Sequence, residues 1–407
     1  MVNIDYLYNP DAARKSFEKN YFLDKELSFR VIENGTILPH KSVVIPGKWN
    51  FGLGGIVDSK GAYIADSSLH HRTGGAYTPP PQDIKHSSET VIYLGMFYKI
   101  WGHDLTDNIR RVWFLKSDFF KSEFKNCPVV YVPYGDGKYT VEVQPSFKRL
   151  LEILEVDVDK LQPITQPTQY DKIILPDDSF TSPHNPGTGF TTEYRETIDR
   201  IRDFALKNRT PTSRKKLYFY YGRRGTIGED RMAEYFKSKG YEIVRPEKLS
   251  LDEQLNILIN CKNFASTSGS CAHNCLFLRD NSEFILIPRA TSKLNYYQEM
   301  LNQIHPLNII YIDSSLSIFS KGITSGPYFF IVSEQLKKFF GDKFDGYTDD
   351  DFKIFLQYVK DSINKGIPFN QSAKEYYSPV LEDFMGQLKR REDLIAAYDM
   401  PLGLGDF

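Results

Sequence analysis

The alternation in residues 217–312 constrains the fold more than any other feature of this chain. LYFYY (217–221), YEIVRP, NFAST, EFILIP and NIIYI are apolar runs of strand length, and helix-length segments separate most of them. Strands separated by helices cannot close as tight hairpins. They pair in parallel, with helices on the sheet faces, and this predicts a doubly wound α/β domain. A helix around Asp230 to Lys239 would end at Gly240. Ser250 and Glu253 stand three residues apart ahead of LDEQLNILINC and predict a capping box.

The first half reads differently. To about residue 88 it consists of short strands and turns, with a hairpin around Asp58-Ser59-Lys60-Gly61 and a connector, GGAYTPPPQD. From Val91 the alternation begins. VIYLG is a strand, and a helical stretch runs through Arg111. VWFL and PVVYV read as buried strands, SFKRLLEILEV as a helix with Ser146 at its N-cap, and DKIILP as a strand. HNPGTGF is a loop, and TTEYRETIDRIRDFALKN a helix joining the halves. A chain of 407 residues exceeds the span of one core, about 250–300 residues. The expected division is residues 1–190 (a β-rich start, then a Rossmann-like part), 191–335 (a second Rossmann-like domain) and 336–407 (helices packing back on the body).

Composition excludes several classes. A hydrophobic share of 41% with 25% charged residues is that of a folded protein. A net charge of -1 without a basic stripe argues against a nucleic-acid partner. Four cysteines are too few for a disulfide scaffold of this length, so a reducing, cytoplasmic setting is expected. No apolar signal core and no run of about 18 apolar residues is present, so no membrane span is expected. Gln387-Leu388-Lys389-Arg390-Arg391 would suit peripheral contact with an anionic membrane, or simply a solvated helix face.

In open parallel sheets ligands bind beyond the C-terminal strand ends. Two loops of the second half occupy that edge. Gly222-Arg223-Arg224-Gly225 offers guanidinium donors suited to phosphate oxygens. Ser268, Gly269 and Ser270 offer hydroxyls, close backbone approach and a following helix whose first N–H groups would face an anion. Together they would hold a pyrophosphate; separately, each also reads as a surface turn. In GHDLTDNIRR, Leu105, Ile109 and Val112 form an apolar stripe. His103, Asp107 and Arg110 share the other face, where a His beside a carboxylate suits a base. A solvent-facing helix with an ordinary i,i+4 pair explains the same residues. Cys271, His273 and Cys275 read as packing residues more readily than as metal ligands, because no further pair completes a site. Asp177-Asp178 and Asp349-Asp350-Asp351 are acidic runs, the second placed to cap a helix.

Four stretches in this order resemble glycosyltransferase family 61: GGIVDSKGAYIADSSL, YKIWGHDLTDNIRRVWFL, LYFYYGRRG with VRPEKLSLDEQLNILINCKNF, and STSGSCAHNCLFLRDNSEFILIP. The resemblance covers about residues 50–315. It implies a GT-B-type α/β fold with two Rossmann-like doubly wound domains facing a cleft, an N-terminal β-hairpin region and C-terminal helices. It implies inversion at the anomeric carbon, with Arg223 and Arg224 on the donor phosphates. Ser268, Gly269, Ser270, His273 and Asn274 would line the donor pocket, and His103 with Asp107 would serve as base across the cleft. Thr267-Ser268-Gly269-Ser270 stands where His-Gly-Ala is common, which leaves the donor sugar open. No cofactor and no metal is implied beyond a nucleotide-sugar co-substrate, a UDP-sugar first. The acceptor would be a glycan or lipid-linked oligosaccharide of bacterial capsule or surface polysaccharide synthesis. A polyol-phosphate transferase and a non-catalytic glycan- or nucleotide-binding subunit are the rival readings.

Overall fold

The computed structural model describes residues 1–43, 52–68, 74–135, 142–181, 187–213, 215–222, 225–289, 295–321 and 325–398. The chain divides into two compact units: Tyr21–Lys207, and Met1–Asn20 together with Asn208–Phe407. The protein is a mixed α/β fold with parallel strands in both units.

In the unit built on Asn208–Phe407 all six strands of the main sheet are parallel. Their order is Glu242–Val244, Lys215–Phe219, Cys261–Thr267, Glu283–Ile287, Asn308–Ile312 and Val2–Tyr6. The chain moves outward from Lys215–Phe219 to Glu242–Val244 and then returns to add Cys261–Thr267 on the other side. Strand order therefore reverses between Lys215–Phe219 and Cys261–Thr267. Side chains alternate across the sheet. Tyr218, Ala265 and Ile285 pack with Met232 and Phe236 of the helix Glu229–Ser238. The alternate residues Phe219, Phe264 and Phe284 form a buried column with centroids 5.0 and 5.2 Å apart. Each such ring stabilises the fold by roughly 1.5–3 kcal/mol through burial. The expected capping box is present: Ser250 Oγ accepts from the Glu253 N–H at 3.3 Å, and Glu253 Oε2 accepts from the Ser250 N–H at 2.8 Å.

The C-terminal helices Asp349–Asn364 and Gln371–Lys389 bury Phe352, Phe355, Phe384 and Leu388 against Leu316, Phe319 and Phe329. The acidic run at 349–351 opens the first helix, where Thr348 and Asp351 cap it reciprocally. Arg391 is partly buried. Its Nε meets Asp349 Oδ1 at 2.6 Å and its guanidinium lies 4.5 Å from the Phe352 ring centroid. No described helix is long and apolar enough to cross a membrane. No disulfide joins the four cysteines among the described residues.

Asp313 follows directly on the strand Asn308–Ile312 and is 1% exposed. Its Oδ2 accepts from the Tyr376 hydroxyl at 2.6 Å and the Tyr8 N–H at 2.8 Å. Burial pushes its carboxyl up to about 6, against those two hydrogen bonds. A carboxyl raised on folding stabilises below its unfolded value and loses that contribution as pH rises through the folded one. Asp313→Asn keeps an acceptor and removes the titration. Urea melts at pH 4 and pH 8 should show wild type losing about 3 kcal/mol relative to this variant across the window. Parallel curves would refute a buried ionisation at Asp313.

The Tyr21–Lys207 unit has a seven-stranded sheet in the order Tyr63–Ile64, Leu53–Val57, Phe29–Lys41, Thr168–Pro176, Lys85–Phe97, Val129–Pro133 and Leu161–Pro163. The first three junctions are antiparallel and the last three parallel. The sheet is thus mixed, where a doubly wound parallel one was expected. The predicted hairpin is present, with Ile56 opposite Ile64, and its strands add antiparallel to the sheet. VWFL is not a strand. It lies in a tight helical segment, Val112–Lys116, where Phe114 meets Phe29 at 5.4 Å and Trp113 Nε1 donates to Asp177 O at 2.9 Å. An apolar run buried on every side carries no period by which to tell the two apart. Nor does Ser146 cap its helix: Pro145–Ile153 begins one residue earlier, with Pro145 in its first turn.

Candidate functional site

The GHDLTDN segment follows the strand Lys85–Phe97 and stands at the C-terminal edge of the parallel half of its sheet. It forms one helical turn, Trp101–His103, continued by a π-helical turn, Asp104–Asn108. Such turns are rare and frequently found at functional sites. Asp104 through Leu115 are buried, so this is not a solvent-facing helix. His103 keeps 26% of its side chain exposed, against 1% for Asp107. His103 Nδ1 lies 2.6 Å from Asp107 Oδ2, and Thr106 Oγ1 lies 2.9 Å from the same oxygen. An ionised Asp107 carboxylate accepts from Nδ1–H, and in that tautomer Nε2 is the basic nitrogen of the ring.

The imidazole is also held by stacking. Its centroid is 4.8 Å from Tyr98, which lies 4.0 Å from Tyr134, and Tyr134 lies 4.4 Å from His40. Tyr98 and Tyr134 directly follow the parallel strands Lys85–Phe97 and Val129–Pro133. Asn108 fixes Tyr98 from both sides, accepting from its N–H at 3.0 Å and donating to its carbonyl at 2.8 Å. Asn108 also donates to Asp104 Oδ1 at 2.7 Å; burial nevertheless holds the Asp104 carboxyl well above the usual carboxylate range. Arg110 pairs with an acidic residue of another segment. Arg110 Nε and Arg111 Nη2 both meet Asp178 Oδ1, at 3.0 and 2.9 Å. The Arg111 guanidinium is further anchored on Pro176 O and Asp66 O. Burial lowers Arg111 to about 10, opposed by Asp178. Asp178 is thus the counter-ion of two buried arginines, and among the described residues no acidic or His/Cys cluster has the makings of a metal site.

A second constellation lies in the other unit. In an open parallel sheet the ligand crevice opens where strand order reverses. Here that places it between the ends of Lys215–Phe219 and Cys261–Thr267. The two loops chosen from the sequence leave these two strands. Arg223 and Arg224 themselves lie outside the described residues. The chain on either side of them is fixed. Gly222 N donates to Glu229 Oε2 at 3.2 Å, and Gly225 O accepts from the Tyr328 N–H at 2.8 Å. Glu229 is 1% exposed and also meets the Thr267 hydroxyl at 3.3 Å, so one carboxyl ties both loops together. Burial raises its pKa; the nearby Arg289 charge is the largest opposing influence.

Ser268, Gly269 and Ser270 form the turn after Cys261–Thr267. The element that follows is a six-residue 3-10 segment, Ala272–Phe277, and the Ala272 N–H already closes on Gly269 O at 2.9 Å. The helix N-terminus expected there is therefore partly engaged by the turn itself. Asn274 Nδ2 donates to Cys271 O at 2.9 Å, and His273 Nδ1 lies 2.8 Å from Gln298 Oε1. Both side chains are buried beneath the turn, with Gln298 linking on to Cys275 and Asn302. Burial pushes the Cys275 thiol up to about 12, as suits a packing cysteine.

Sequence reasoning missed Arg289, Glu229 and the Tyr98–Tyr134–His40 stack. Arg289 was within reach of the rule that selected the other loops, since it stands two residues beyond the strand Glu283–Ile287. The other residues carry no local signal: their partners come from distant segments.

Residues 101–285 match the family model for Glycosyltransferase 61. No curated protein matches the chain. Among solved structures, it is similar to the bacterial iron-containing dodecameric glycosyltransferase TibC from enterotoxigenic E. coli H10407, at 12% identity and a TM-score of 0.26, over 68% of this chain and 82% of that one. A likeness of that degree does not bear on the fold or the site. The family match spans both the His103–Asp107 pair and the loops at the strand reversal, and over those residues the chain is similar to glycosyltransferase family 61, which supports a glycosyltransferase.

Proposed function

We propose that the chain is an inverting, GT-B-type glycosyltransferase that moves a sugar from a nucleotide-sugar donor, a UDP-sugar first, onto a glycan or lipid-linked oligosaccharide of bacterial surface polysaccharide synthesis. The observation that carries this reading is the strand reversal with the Gly222 and Gly269 loops on its two sides. Arg223 and Arg224 would grip the donor diphosphate, with Ser268, Gly269 and Ser270 beside it and His273 and Asn274 supporting the turn. His103 Nε2 would take the proton of the acceptor hydroxyl, with Asp107 stabilising the imidazolium. The acceptor oxygen then bonds to C1 as the C1–O bond to the diphosphate breaks, and the electron pair leaves with the diphosphate. Arginine charge stabilises that leaving group in place of a metal.

Thermal shifts with UDP, GDP, CDP, CMP and dTDP, with and without EDTA, test the donor half. A ligand at about 100 times its Kd adds about 2.7 kcal/mol, which is readily seen. One nucleotide should shift the melt, EDTA should not abolish the shift, and Arg223→Ala should remove it. No shift with any nucleotide would favour a non-catalytic binding subunit. In transfer assays, product mass separates a sugar from a polyol phosphate.

A further inference from the structure

We infer that Arg289 forms a further diphosphate-binding position in the donor crevice; this rests on the nucleotide-donor reading. Arg289 stands two residues past the end of Glu283–Ile287, the strand that pairs with Cys261–Thr267. Because Thr267 pairs with Ile287, Arg289 and Gly269 leave the sheet side by side. The contact is close. A Cβ on Gly269 would fall 2.6–2.7 Å from Nη1, Cζ and Nη2 of Arg289 together. The guanidinium therefore lies against the glycine face, and φ of +132° at Gly269 is itself backbone that other residues rarely adopt.

Two aromatic rings hold the group in place. Its Cζ is 5.1 Å from the Tyr221 centroid and 5.6 Å from that of Tyr328. Tyr221 immediately precedes Gly222, and Tyr328 pairs with the chain emerging from the Arg223-Arg224 loop. Its buried Nε has no hydrogen-bond partner among the described residues. Glu229 balances the charge, but its own oxygens already accept from Gly222 N and the Thr267 hydroxyl. What remains is a planar cation with an unsatisfied buried Nε, held near two aromatic rings at the strand reversal. That arrangement suits the paired oxygens of a diphosphate. Gly269 is required here because any side chain would displace the guanidinium.

Isothermal titration of Arg289→Ala, Arg289→Lys and Gly269→Ala with UDP, GDP, CDP, dTDP and inorganic pyrophosphate tests this, after melting curves confirm that each variant folds. The nucleoside diphosphate that binds wild type should bind Arg289→Ala about 10–100-fold more weakly, while the matching nucleoside binds both equally. Arg289→Lys should recover part of the loss, and Gly269→Ala should reproduce it with the charge still present. Equal diphosphate affinity in wild type and Arg289→Ala would overturn the role of Arg289 and leave the nucleotide-donor reading standing. Should wild type bind no nucleoside diphosphate yet bind pyrophosphate through Arg289, the donor reading falls and the anion site survives. If neither binds, both are wrong.

Discussion

Replacing His103 with alanine is expected to lower the rate of sugar transfer by about 10²–10⁴-fold, the range over which a positioned general base contributes. Nucleotide affinity should stay at the wild-type level, because the proposed base acts on the acceptor hydroxyl and not on the donor phosphates. Asp107→Asn keeps the shape and removes the carboxylate that accepts from Nδ1 at 2.6 Å. An asparagine can present its amide there, which would turn Nδ1 into an acceptor and place the ring proton on Nε2. The variant should therefore lose most of the rate that His103→Ala loses. Full turnover in His103→Ala would remove this residue from the mechanism.

Asp178→Ala should destabilise the Tyr21–Lys207 unit by about 3–5 kcal/mol, the usual cost of removing one partner from a buried ion pair. Arg110 and Arg111 have side chains only 2% and 1% exposed, and both lose their shared counter-ion in this variant. Their remaining hydrogen bonds to Ser68, Pro176 and Asp66 carbonyls satisfy donors but do not neutralise charge. Asp178→Asn should cost less, since a neutral acceptor remains. The effect matters for the site because Ser179 N donates to Arg110 O at 3.0 Å, tying this cluster to the segment that carries His103. Urea denaturation of both variants is the measurement. An Asp178→Ala midpoint equal to wild type would mean that water or local relaxation replaces the carboxylate.

The candidate site was legible where the placing of its residues follows from local order. The loops after Lys215–Phe219 and Cys261–Thr267 were chosen because they leave parallel strands, and those strands do flank the reversal. The His103–Asp107 pair was chosen from i,i+4 spacing, which holds in the π-helical turn as well. Spacing alone could not separate it from a surface pair, since burial of Asp107 comes from Tyr21–Lys207 packing as a whole. Arg110 illustrates the limit. On a helical wheel it shares a face with His103, yet Asp178 pairs with it from a different strand end.

The sequence by itself determined the strand–helix rhythm of residues 215–312, the capping box at Ser250 and Glu253, the hairpin around Asp58 and the edge where a ligand would sit. These depend on side-chain periodicity and on hydrogen bonds between residues a few positions apart. Only the tertiary structure decided that Val2–Tyr6 closes the C-terminal sheet beside Asn308–Ile312, that the other sheet is mixed, and that Val112–Lys116 is helical. It alone placed Arg289 against Gly269 between Tyr221 and Tyr328. Such pairings join segments far apart in the chain, and their energy lies in burial and stacking that no local window of residues contains.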